Sequence, residues 1–192
     1  VVPFATVGGS EAAKVSLLQA AADHLGIEEH EIEDIYPCTA LQEGLLAVSQ
    51  DVRGSYVAQM VHEMTSEINY PQFQNAWSSV LDDWPILRTR FFSSLQDDGT
   101  VRMMQAVTKL KPRWHRPRSL QDYLKLDAKD KMQTGDSMLR LAAFQDKKTQ
   151  KHYFVMTVHH AVYDGWMLGL LTAVKRACAG APRPAITPYN VF

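Results

Sequence analysis

Apolar and polar positions alternate with two different periods along this chain, and the changes of period mark out its elements. After Ser10, whose hydroxyl suits an N-cap, Val15, Leu18, Ala22 and Leu25 recur at helical spacing until Gly26 supplies a left-handed stop. Thr39 and Gln42 have the spacing of a capping box ahead of Leu41, Leu45 and Leu46, which predicts a second helix after Pro37. From Ser55 to Glu67 the period falls to two. Tyr56, Ala58, Met60, His62 and Met64 share one face and Val57, Gln59, Val61 and Glu63 the other, as in a strand buried on one side. Pro71 then opens a strongly amphipathic helix in which Phe73, Ala76, Trp77, Val80, Leu81 and Trp84 form one stripe, and Pro85 ends it. A stripe of that width calls for a broad partner such as a sheet.

Two strands follow, Ile86 to Leu95 and Val101 to Val107, joined by Asp97-Asp98-Gly99 in a hairpin turn that tolerates positive φ. Ser119 and Asp122 start a further helix carrying Leu120, Tyr123 and Leu124. Strands are predicted again at Leu139 to Gln145 and His152 to Val158, separated by the charged turn Asp146 to Lys151. A last helix runs from about Trp166, with Met167, Leu170, Leu171, Val174 and Cys178 on one face, Lys175 and Arg176 at its negative end and Gly180 beyond it. Hairpins mixed with crossovers predict an α+β fold, a mixed-sheet α/β sandwich, and not a regular doubly wound repeat. Val1 to Ser10, with Pro3, Gly8 and Gly9 and no period, reads as a linker or tail, and the folded unit as residues 11–192.

Composition narrows the function classes. The 192 residues carry 20 Lys+Arg against 21 Asp+Glu, so no basic field exists to bind a phosphate backbone and no nucleic acid partner is expected. The longest apolar runs fall far short of the roughly 20 residues of a bilayer span, so no membrane partner is expected either. Cys38 and Cys178 match no metal spacing and no disulfide framework, which makes them reduced core thiols and the expected compartment cytoplasmic.

One segment concentrates chemistry. Thr157 to Trp166 places two imidazoles and a carboxylate, His159, His160 and Asp164, between a buried strand and a helix start. Histidine is the natural base near neutral pH, and an adjacent pair divides into one ring facing inward and one facing a cavity. Asp164 has two structural readings: it fixes a ring or an Arg, or it serves only as an N-cap. Gly165 permits close backbone approach, and a helix beginning there aims free N–H groups at a developing oxyanion. Extended, the two His side chains point to opposite faces, so no metal site is expected.

The run His159-His160-Ala161-Val162-Tyr163-Asp164-Gly165-Trp166 resembles the HHxxxDGW signature of nonribosomal peptide synthetase condensation domains, members of the chloramphenicol acetyltransferase-like superfamily. Three further segments agree in order. Ile32 to Leu45, with Tyr36-Pro37-Cys38-Thr39, is similar to the opening of fungal condensation domains, Ile86 to Phe91 resembles the family's LRTxF strand, and Pro188-Tyr189 resembles the segment that follows the first lobe. Trp84-Pro85 stands where many relatives have His-Glu.

This resemblance implies a chloramphenicol acetyltransferase-like lobe and an acyltransferase. The full domain joins thioester substrates carried on phosphopantetheine arms by upstream and downstream peptidyl carrier domains, giving an amide or ester. His160 matches the catalytic position, as base or as positioning group; His159, Asp164 and Arg88 match supports, Asp164 through an ion pair with an Arg such as Arg88 or with an Arg outside this chain; Gly165 matches the thioester or oxyanion contact. The family's later motifs are not found before Phe192, so the chain is expected to be the N-terminal lobe without its C-terminal lobe. No cofactor is expected to bind directly. Two alternatives accompany this reading: a fungal terminal domain that releases or cyclises the peptide, and an inactive carrier-docking or structural lobe when isolated. A homodimer through the exposed inter-lobe face is a further expectation.

Overall fold

The structure is a computed structural model and describes residues 4, 10–52, 54–96, 99–164 and 169–182. Helix α1 (Glu11–Leu25) starts where expected: the Ser10 hydroxyl accepts from the Ala13 N–H, and Gly26 closes the helix at φ 62°. Its buried stripe is Ala21, Ala22 and Leu25, with Leu17 and Leu18 half-buried, while Val15 lies on the exposed side. Strand β1 (Ile32–Pro37) has no counterpart in the sequence reading. Glu33 and Asp34 interrupt its alternation, and a register shift between Ile32 and Asp34 lets the Asp34 carboxylate accept from the Ile35 N–H.

Helix α2 (Ala40–Asp51) carries the expected capping box, Gln42 N–H to Thr39 Oγ1 at 3.2 Å and Thr39 N–H to Gln42 Oε1 at 3.0 Å. Leu45 and Leu46 are buried, and Leu41 is exposed. Strand β2 (Val57–Met64) leads to α3 (Tyr70–Asp83), capped by Asn69. The expected strand from Ile86 begins only at Thr89, because Pro85–Arg88 forms a 3-10 turn. Proline at its head supplies the fixed φ and lacks the N–H that a strand ladder would use.

Strands β3 (Thr89–Leu95) and β4 (Val101–Thr108) form the predicted hairpin, closed by Gly99 at φ 80°. A two-residue strand, β5 (Trp114–His115), is too short to show a period. Helix α4 (Leu120–Asp127) is capped by Ser119, as expected, and by the Asp146 carboxylate, which accepts from the Leu120 N–H at 2.7 Å. Strands β6 (Leu139–Gln145) and β7 (His152–His159) and helix α5 (Leu170–Cys178) are the last elements among the described residues; the expected helix start at Trp166 falls outside them.

The strands form two sheets, β1-β4-β3 and β2-β7-β6-β5. All pairs are antiparallel except β5 with β6. Helix α1 covers the smaller sheet through Ala21, Ile35, Phe92 and Ala106. The larger sheet is covered on both faces. Phe154, Met156 and Val158 of β7 pack with Trp77 of α3 and Leu170 and Val174 of α5, whereas Val155 faces Tyr123 of α4. This α/β arrangement with mixed sheets matches the expected fold class. Its functional consequence is that β7 is held from both sides along its length, so the residues at its C-terminal end leave a rigid platform.

Candidate active site

His159 is the last residue of β7 and is fully buried. Its Nδ1 accepts from the Ala161 N–H at 3.1 Å, which leaves the proton on Nε2, 2.7 Å from Ser49 Oγ. The Ser49 hydroxyl bonds in turn to the Leu45 and Ser55 carbonyls. Both ring nitrogens are therefore committed to the neutral form. Burial, reinforced by the neighbouring His160, depresses the pKa from 6.5 to about 4.

That depression has a consequence for stability. The unfolded chain binds more protons than the folded one between pH 6.5 and about 4, so His159 stabilises the fold fully above pH 6.5 and loses this contribution as pH falls toward 4. Denaturant unfolding at stepped pH is expected to show a loss on the order of 2–3 kcal/mol across this window. A His159→Gln variant whose pH profile matched wild type would contradict it.

His160 is placed differently. It opens the 3-10 turn His160–Val162 and is exposed. Its backbone N–H donates to the Tyr56 carbonyl at 2.7 Å, and Tyr56 holds a left-handed φ of 58° that costs of order 1 kcal/mol in a non-glycine residue. The ring lies parallel to that of Tyr163, centroids 4.5 Å apart and planes 12° apart. Its Nδ1 is 2.8 Å from the Tyr163 carbonyl. A carbonyl only accepts, so Nδ1 carries the hydrogen and the neutral ring offers a bare Nε2 lone pair. The pair thus divides into an inward ring, as expected, and an exposed one, which does not line the cavity beside Ser49.

The remaining site expectations divide. Asp164 follows at an exposed position, and Gly165 lies outside the described residues. Arg88 does not make the ion pair expected with Asp164. Its Nη1 and Nη2 bond the two oxygens of Glu33 at 2.9 and 3.0 Å, its Nε donates to the Leu81 carbonyl at 2.9 Å, and Nη1 also donates to the Thr108 carbonyl. The 3-10 turn aims the side chain across β4 at β1, an element with no legible period in the sequence. Both cysteines are free, as expected, and half-buried; burial pushes the Cys38 thiol up to about 12, with Glu43 adding to the effect.

Ser49, Tyr163 and the buried pair Gln42 and Gln105 shape the site without having been read for that role. Gln42 carried a signal only as a helix cap. A cavity of about 90 Å³ lies by Ser49, away from His160, and its buried carboxylate, Asp127, is committed to Arg140, Thr157 and Gln59. Among the described residues no cluster of His, Cys, Asp or Glu is arranged to hold a metal ion, and no helix is long and apolar enough to cross a membrane.

Comparison with known proteins places the chain in a family. Residues 32–176 match the family model described as the condensation domain. The chain is 36% identical over 173 residues to nonribosomal peptide synthetase GRA1 of Gibberella zeae, a match covering 90% of this chain and 2% of that protein. It is 37% identical over 179 residues to nonribosomal peptide synthetase 8 of Aspergillus fumigatus, covering 92% and 2%. The chain therefore spans only a small fraction of these relatives. Among solved structures, holo T3CT superposes with a TM-score of 0.73 at 16% identity, covering 99% of this chain and 44% of that one. The starter condensation domain of rhizomide synthetase RzmA superposes at 0.60 and 18% identity, covering 79% and 40%. An HHxxxDG run at the end of a strand sandwiched between helices, a family match over most of the chain and fungal synthetase relatives converge on one assignment: the chain belongs to the condensation-domain family of nonribosomal peptide synthetases.

Proposed function

We propose that residues 11–192 are the N-terminal lobe of a condensation domain and that His160 is its catalytic base. The observation that supports this most directly is the 2.8 Å contact between His160 Nδ1 and the Tyr163 carbonyl, because it leaves Nε2 as a proton acceptor on an exposed ring. The substrates are two thioesters on phosphopantetheine arms of carrier domains. The acceptor amine attacks the donor thioester carbonyl, forming a C–N bond. His160 Nε2 takes the amine proton, the C–S bond breaks, and the proton passes to the departing thiolate, leaving amide and free thiol. A hydroxyl acceptor gives an ester by the same transfers.

His159 acts beneath this site, anchoring the turn through the Ala161 N–H and Ser49. The chain covers 44% or less of the solved structures compared, which fits a lobe that shares its site with a second one. The test is an assay of the complete domain with donor and acceptor carriers loaded with aminoacyl thioesters, followed by mass spectrometry of the carriers. The expected product is an acceptor carrier bearing the joined acyl chain. Donor hydrolysis alone, with no joined product from any loaded pair, would overturn the assignment.

A further inference from the structure

We infer that Gln42 and Gln105 are positioning residues for His160: their paired carboxamides tie the turn His160–Val162 to the three-stranded sheet. The inference deepens the reading of His160 as base and rests on it. Gln42, in the first turn of α2, and Gln105, on β4, are 3% and 0% exposed, a rare setting for glutamine. Gln42 Nε2 donates to Gln105 Oε1 at 3.0 Å, and Gln105 Nε2 returns the bond to Gln42 Oε1 at 3.0 Å. The second N–H of each amide goes to backbone, Gln105 to the Pro37 carbonyl at 3.1 Å and Gln42 to the Ala161 carbonyl at 3.1 Å. All four N–H groups are used. Rotating either amide would set donor against donor and acceptor against carbonyl, so the arrangement is directional in a way that apolar packing is not.

Ala161 is the middle of the catalytic turn, two residues before the carbonyl that orients the His160 ring. The turn is too short to hold itself. Its N–H groups are anchored by Tyr56 and His159, and Gln42 anchors the Ala161 carbonyl. Without that anchor the turn is free to rotate, and the Nδ1–H···O=C contact that selects the tautomer weakens.

The decisive variant is Gln42→Met with Gln105→Leu, which removes both amides while nearly conserving volume, and with them the acceptor for the Thr39 N–H and the donors to the Pro37 and Ala161 carbonyls. The readouts are the ¹⁵N spectrum of the His160 ring and the exchange of the His160 and Ala161 amide protons, measured on this chain beside thermal unfolding. The expected result is a mixed tautomer population and exchange of the His160 and Ala161 amides about tenfold faster relative to the amides of β7, the equivalent of one buried hydrogen bond, beside a melting temperature lowered by the lost cap of α2. An unchanged ring spectrum and unchanged exchange would overturn the inference. Should the double variant not fold, Gln105→Met leaves the cap of α2 in place, removes the amide that orients the Gln42 side chain, and is read by the same two signals. The wild-type spectrum separates the two claims: if His160 is not protonated on Nδ1 there, the base reading fails, whereas a correct wild-type tautomer that persists in the variants sinks only the role of the glutamines.

Discussion

Replacing His160 by alanine in the complete condensation domain is expected to lower amide formation by on the order of 10²- to 10⁴-fold, the range for loss of a positioned general base. The fold should survive. His160 is exposed, and its ring contributes one hydrogen bond and a stacking contact with Tyr163 and a tilted contact with Tyr56 at 6.5 Å. The neighbouring histidine gives the contrast. His159 is fully buried with both ring nitrogens bonded, so His159→Ala is expected to lower stability before it lowers turnover. Single-turnover rates with preloaded carriers, beside thermal unfolding of each variant, separate the two residues. A His160→Ala domain working near the wild-type rate would remove His160 from the chemistry.

Arg88→Ala is expected to destabilise the chain by about 3 kcal/mol. The guanidinium is buried and satisfies the Glu33 carboxylate and the carbonyls of Leu81 and Thr108, which join β1, α3 and β4. Removing it strands two carbonyls and a carboxylate together. Glu33 is 36% exposed, so part of its charge can be re-solvated, which keeps the effect below that of breaking a fully buried pair. Arg88→Lys should recover little, because an ammonium cannot fork to both Glu33 oxygens while reaching two carbonyls. Chemical denaturation with a common slope measures both. A loss below about 1 kcal/mol for Arg88→Ala would mean that the buried fork is not what holds these three elements together.

The site was legible only in part. The histidine pair, its place at a strand end and the inward turn of one ring followed from residue types and spacing, whereas the other ring is exposed and does not face the cavity. The partner of Arg88 did not, because Glu33 sits on a strand whose two adjacent acids hide its period. Nor did the buried amide pair. Gln42 has a sufficient local explanation as the cap of α2, and that explanation masks its second bond.

What the sequence by itself determined are the features set within about one helical turn or along a single strand. They are the Ser10, Thr39 and Ser119 caps, the stripe of α3, the β3–β4 hairpin and the position of β7. Caps, turns and periodic burial depend on neighbours a few positions apart, and a linear string records those. The tertiary structure alone decided which sheet each strand joins and which distant groups meet. Gln42 reaches Gln105 across 63 positions and Ala161 across 119, and Ser49 reaches His159 across 110. Such pairings carry no local period. They arise because buried polar groups must find partners wherever the packing of α2 against the turn after β7 brings them, and the fold of that turn sets which nitrogen of His160 meets the Tyr163 carbonyl.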